Sequence, residues 1–121
     1  RMPNINAALG CAQLENLDKF IESKRQLALE YAEYFKNVDD IQFFTEPEDT
    51  FSNYWLQAVI LKDRDAQQAF LQQTNDNGVM TRPIWELMNR LPMFEHCEND
   101  GLENTIWFAD RVVNIPSSVR L

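Results

Sequence analysis

One stretch of the chain has residue types arranged for ligand chemistry: Thr81-Arg82-Pro83-Ile84-Trp85. An arginine beside a proline and an aromatic, at the end of an extended segment, makes a sensible anion or phosphate clamp. The guanidinium offers a planar fork of donors, and the indole offers a face for stacking. The plain alternative for the same residues is a surface ion pair and a core tryptophan. Other candidates are weaker. His96-Cys97 is the one His–Cys pair, but adjacent side chains usually point apart and no third group orients them, so a thiol enzyme on Cys97 is disfavoured. Glu95-His96-Cys97-Glu98 lacks the spaced second pair of a zinc site. A loop holding a buried cysteine is the expectation there. The three glycines are far apart and make no phosphate-cradling loop. The four lysines, Lys19, Lys24, Lys36 and Lys62, read as solvated surface with ordinary pKa values, unsuited to Schiff-base work. The chain by itself offers no catalytic machinery.

The elements that must position this clamp are legible as periodicities. Asn4 to about Val38 predicts a helix, with Leu14, Leu17, Ile21, Ala28, Tyr31, Phe35 and Val38 recurring at steps of three and four. Lys24 is the one polar member of that series, its stem suited to lie along apolar surface. Pro3 fits a helix start, and Asn4 or Asn6 can cap it. A straight helix of this length would run roughly 50 Å, beyond the ~35 Å diameter of a compact domain this size. Either Gly10 bends or divides it, or its first turns rest on something outside this chain. Ile5, Ala7, Ala8, Leu9, Cys11 and Ala12 are apolar almost all round, which favours the second idea. Cys11 reads as a small buried hydrophobe.

Beyond Asp39-Asp40, Ile41–Phe44 predicts a short strand and Thr45–Thr50 a solvated acidic turn. Asn53–Leu61 is the best strand, antiparallel to the first. Asp63 caps a helix over Arg64 to about Asn75, with Ala66, Ala69, Phe70 and Gln73 inward and Gly78 closing it. Val79–Arg82 reads as a strand halted by Pro83, followed by a helical turn near Trp85–Asn89. Leu102 to about Asp110 predicts a further helix, and Val112–Pro116 a last extended piece. The fold class is α+β: a long N-terminal helix on a small, mainly antiparallel sheet with further helices.

Composition narrows the function classes. With 45% hydrophobic and 12% aromatic residues, the chain can build one packed domain over residues 1–121. A net charge of -8 has the wrong sign for nucleic acid or an anionic membrane. No apolar run approaches the ~20 residues of a membrane span. Two cysteines are too few for a disulfide framework, and a reducing cytoplasm is the default. The chain begins at Arg rather than Met and reads as a piece of something longer.

Several stretches together resemble one family. Arg1-Met2-Pro3-Asn4-Ile5-Asn6-Ala7-Ala8-Leu9-Gly10-Cys11-Ala12-Gln13-Leu14-Glu15 is similar to the segment that opens the C-terminal part of DegT/StrS-type nucleotide-sugar aminotransferases. Arg25 and Tyr31, Tyr54-Trp55, Gly78 before Arg82-Pro83-Ile84-Trp85, Leu91-Pro92-Met93-Phe94 and Asn114-Ile115-Pro116-Ser117-Ser118 follow in the family's order. The versions with Arg-Pro-Ile-Trp and Leu-Pro-Met-Phe look most like enzymes aminating UDP-linked 4,6-dideoxy sugars, as in legionaminic acid-type pathways. The resemblance implies a fold-type I, pyridoxal phosphate-dependent homodimer with glutamate as amino donor. It implies that this chain is the small C-terminal domain, while the catalytic lysine and the other cofactor contacts belong to a large domain outside it. The fragment alone would be inactive and bind no cofactor. Arg1 would lie at the cofactor–subunit boundary, and Arg82, Trp85 and Asn89 would wall the nucleotide-sugar pocket. Many relatives have Tyr and His where this chain has Glu86 and Asn89, so the sugar itself is not given. The rival from another class is a stand-alone interaction or oligomerisation module that pairs through the apolar start of the helix.

Overall fold

The computed structural model describes residues 1–120. The element order is α1 (Asn4–Leu14), α2 (Leu17–Phe35), β1 (Ile41–Phe43), β2 (Gln57–Leu61), α3 (Arg64–Asp76), β3 (Arg82–Pro83), a 3₁₀ turn (Met88–Arg90), α4 (Glu103–Ala109) and β4 (Val112–Ile115). The strands form one antiparallel sheet in the order β1-β2-β4-β3. The α+β architecture expected from the sequence is therefore present, and each predicted strand and helix has a counterpart.

The periodicities place the core. Gln57, Val59 and Leu61 alternate inward along β2, and register brings Phe43 and Val113 to either side of Val59. Ala28 of α2 forms one buried cluster with Phe43, Val59, Leu61, Val113 and Ile115, and Tyr31, Phe35, Ala66, Phe70 and Leu71 pack at its margin. Val59 and Val113 have no exposed surface, so α2 and α3 close over the same face of the sheet.

The long helix is divided, but not at Gly10. Gly10 lies inside an unbroken α1, and the interruption is a turn at Glu15–Asn16. There the Asn16 side chain donates to the carbonyl of Ala12 at 2.9 Å, so a local polar bond competes with helix continuation. No side chain caps α1; Pro3 precedes it with extended ψ, and its carbonyl accepts from Ala7 N–H. Helix α1 buries none of its residues: Ile5 is 82% exposed, Leu14 68%, and Cys11 is exposed, contrary to the buried cysteine expected. The apolar stripe joins the core at Ala28, Tyr31 and Phe35.

Other departures have local causes. The strand expected from Asn53 starts at Gln57, because Ser52 Oγ accepts from Tyr54 N–H, Asn53 Oδ1 accepts from Trp55 N–H, and Tyr54 takes φ of +46°. The strand expected over Val79–Arg82 reduces to Arg82–Pro83; Pro83 is tolerated because β3 is an edge strand. The helical turn falls at Met88–Arg90 rather than Trp85–Asn89. On α3, Asp63 caps through Ala66 N–H at 2.8 Å as expected, but Ala69 and Gln73 are exposed. Its inner face carries Gln67 instead, whose amide donates to the carbonyls of Ala109 and Val112 at 2.9 Å each. Gly78, at φ +78°, follows the helix in the left-handed region.

Candidate functional site

At one end of the sheet an open cleft of about 730 Å³ is lined by Lys24, Trp55, Leu56, Met80, Arg82, Pro83, Ile84, Trp85 and the segment from Asn114 to Ser118. It gathers the tail of β3, the approach to β2 and the exit of β4. Arg82 pairs directly with Asn114 in the register, and Asn114 with Ala58, so these three share one face. The cleft is mostly apolar in its lining but holds two cations, Lys24 and Arg82, and no carboxylate. In a chain of net charge -8 that is a local inversion of sign.

Arg82 is held at the rim by the residue before it. Thr81 is buried; its hydroxyl lies 2.6 Å from that of Thr74 and accepts from the Asn75 amide at 3.0 Å. Asn75 also donates to the Thr81 carbonyl at 3.1 Å, so the last turn of α3 fixes the start of β3. The guanidinium itself has one weak contact, Met80 Sδ at 3.5 Å, and is exposed. Trp85 is 82% exposed, which excludes the core-tryptophan alternative and leaves its ring face free for stacking.

Lys24 closes the cleft from the side of α2. Its ammonium donates to the carbonyl of Trp55 at 3.1 Å and to that of Ser117. Gln57 stitches the same corner: its amide donates to the Lys24 carbonyl at 3.0 Å, and its backbone N–H donates to Ser117 Oγ at 2.7 Å. Burial pushes the Lys24 ammonium below its usual range, so the expectation of four ordinary surface lysines fails at this one. The signal was present in the sequence: Lys24 occupies a core-facing step of the helical series.

A second polar constellation props the loop that delivers Trp55. Arg25 forms a bidentate pair with Glu46 at 2.7 and 3.0 Å and donates to the Ser52 carbonyl at 2.6 Å. Its guanidinium lies 4.0 Å from the centre of the Phe51 ring and 5.6 Å from that of Tyr54. The Tyr54 hydroxyl accepts from Glu46 N–H at 3.1 Å. The Arg25 hydrogen bonds and the Ser52 N–H hold the Glu46 carboxyl down to about 2. Glu46 is thus a structural partner and not the solvated turn acid expected. On the other side of α2, Tyr31 donates to the Pro116 carbonyl at 3.0 Å, fixing the exit of β4.

Of the four predicted pocket residues, Arg82 and Trp85 line this cleft together. Asn89 sits in the 3₁₀ turn with its side-chain oxygen buried and unpartnered, and Arg1 is exposed ahead of α1; neither is among the cleft residues. Lys24 and Trp55 are among the lining residues that reading the sequence did not assign to the site. Cys97 is exposed, against the buried thiol expected, and no cluster of metal-ligating side chains occurs among the described residues.

These side chains do not form a pyridoxal phosphate site. Lys19, Lys36 and Lys62 are exposed, and the Lys24 ammonium is engaged by two carbonyls.

The profile of the DegT/DnrJ/EryC1/StrS aminotransferase family matches residues 1–121. GDP-perosamine synthase of Vibrio cholerae is 35% identical over 123 residues, covering 97% of this chain and 32% of its own length. The protein of that name from Escherichia coli O157:H7 is 32% identical over 120 residues, covering 97% of this chain and 31% of its own. The chain thus spans about a third of these curated relatives. Among solved structures, Helicobacter pylori PseC, an aminotransferase involved in the biosynthesis of pseudoaminic acid, matches at a TM-score of 0.88 and 16% identity, over 98% of this chain and 33% of its own. DesV of S. venezuelae, solved with a ketimine intermediate, matches at 0.85 and 21%, over 98% and 32%. At such identities these last two speak for the fold.

Proposed function

The chain belongs to the DegT/DnrJ/EryC1/StrS aminotransferase family, and we propose that it is the smaller, C-terminal domain of a pyridoxal phosphate-dependent enzyme that moves an amino group from glutamate to a keto sugar on a nucleoside diphosphate. The observation that carries this reading is the cleft at the sheet end, where Arg82 and Lys24 stand without a carboxylate beside two exposed tryptophans. A nucleotide sugar offers what such a wall recognises: phosphoryl oxygens for a guanidinium fork, and flat or hydroxylated surface for indole faces. The cofactor, when bound, supplies the electron sink for amino transfer. In our reading it is held by a large domain outside these residues, because the side chains present here do not fit it. This domain orients the substrate and helps exclude water.

The apolar surface of α1, with Ile5, Leu9 and Leu14 exposed around it and Met2 exposed just ahead of it, supports the same division of labour. In our reading it packs on the large domain or on a second subunit of a homodimer, with Arg1 at that boundary and Asn89 part of the pocket's outer wall. The curated relatives carry GDP in their names, whereas the resemblance of the Arg-Pro-Ile-Trp segment is to UDP-sugar enzymes. The nucleoside diphosphate is the shared chemistry, and the sugar is read as a 4-keto, 6-deoxy type. No described helix is long and apolar enough to cross a membrane, and two free, exposed cysteines suit a reducing cytoplasm.

The test is amino transfer by the protein carrying this chain, with glutamate and either GDP- or UDP-linked 4-keto sugar. Arg82→Ala is expected to raise KM by about tenfold with kcat changed less than about threefold, the pattern of lost uniform binding. Loss of kcat with KM unchanged, or no transfer with either nucleotide, contradicts the reading.

A further inference from the structure

We propose that Lys24 is a second phosphoryl contact of this cleft: anchored on the carbonyls of Trp55 and Ser117, its ammonium presents its remaining N–H to the diphosphate that Arg82 also holds. The inference rests on the nucleotide-sugar reading and adds to it a residue on the helix side of the pocket. An ammonium has three donors. Two are spent on main-chain oxygens, which fix the charge in place and cannot neutralise it. Among the described residues Lys24 and Arg82 form no ion pair, as is also true of Arg1, Lys19, Lys62 and Arg111, but of these six only Lys24 and Arg82 line the cleft. A half-buried cation left without a counter-ion is costly unless something anionic arrives.

The surroundings are built to hold this charge. Gln57, fully buried, donates to the Lys24 carbonyl and so sets the register of α2 against β2. Ser117 meets both partners, through its carbonyl to Lys24 and its hydroxyl to the Gln57 N–H. A lysine needed solely to tie α2 to the sheet could sit in the core-facing corner. This one also lines the open cleft that contains Arg82, Trp55 and Trp85. The same burial that lowers its affinity for protons keeps it within reach of a phosphoryl oxygen in a partly desolvated site, where charge-assisted bonds are strongest.

The proposal is tested on the wild-type protein by trace acetylation of its lysines at neutral pH, with and without inorganic pyrophosphate, GDP or UDP, each lysine being followed by mass spectrometry. All three probes are expected to slow Lys24 by about tenfold, the factor of one charge-assisted hydrogen bond, while Lys19, Lys36 and Lys62 react unchanged. Lys24→Arg is expected to keep pyrophosphate affinity within about threefold, and Lys24→Met to lose about tenfold. If GDP or UDP binds, judged by quenching of tryptophan fluorescence, while Lys24 reacts at its free rate, the proposal is overturned and the nucleotide-sugar reading stands. If Lys24→Met melts earlier yet binds pyrophosphate as wild type does, Lys24 is a structural tie and the proposal again fails. If no probe changes either signal, both readings fall together.

Discussion

At the scale of single residues, the sequence announced Arg82 and Trp85 through their company: a cation, a proline and an aromatic in one short run. Both are exposed and share a cleft. Glu46 was not announced, because its role depends on a partner far away in the chain, and Lys24 was announced only by its core-facing step on the helix. Nothing in Thr45–Thr50 reveals that an arginine 21 positions earlier will meet the glutamate. That pair makes a pH-dependent prediction. The carboxyl of Glu46 lies at about 2 in the folded chain against an ordinary 4.5. A lowered folded pKa contributes stability that is complete above the unfolded value and is lost as pH falls toward the folded one. Thermal melts of wild type should therefore drop between about pH 4.5 and about pH 2, and Glu46→Gln should show a shallower drop there from a lower starting point near pH 7. Parallel profiles for the two proteins would remove Glu46 from the account of this loop.

At the scale of elements, existence was legible and boundaries were not. The helical steps of α2 and the apolar alternation of β2 survive because burial enforces them. The ends moved wherever a short polar side chain found a local backbone partner, as at Asn16, Ser52 and Asn53. Division at Gly10 was the less favoured of two readings of the helix's excess length, and Gly10 divides nothing. Gly10 has helical neighbours and empty space where a Cβ would go, so Gly10→Ala should raise helix content by circular dichroism and favour α1 by about 0.5–1 kcal/mol. A loss of helicity would show that α1 needs glycine at this point. In the sheet, Val113 faces Val59 across the register with no exposed surface. Val113→Ala should destabilise by roughly 2–3 kcal/mol in denaturant melts, from lost burial plus the cavity left behind; a change below about 0.5 kcal/mol would mean that the core lies elsewhere.

At the scale of the whole molecule, the strand order β1-β2-β4-β3 puts the last strand between the second and third. That long-range choice was beyond the sequence reading, which paired only the first two strands. It is also what builds the cleft, by bringing Asn114–Ser118 beside Trp55 and Arg82. What was legible at this scale is a mismatch: the opening helix carries apolar side chains that the described fold leaves uncovered. Under the function we propose, that uncovered face and the lysines unsuited to a cofactor share one explanation, a division of labour in which this domain walls the pocket and another part does the chemistry. The most direct test is borohydride reduction of the protein carrying this chain after loading with pyridoxal phosphate, followed by peptide mass spectrometry. The account predicts one reduced pyridoxyl group on a lysine outside these residues. A pyridoxyl group on Lys19, Lys24, Lys36 or Lys62, or on no lysine at all, would contradict it.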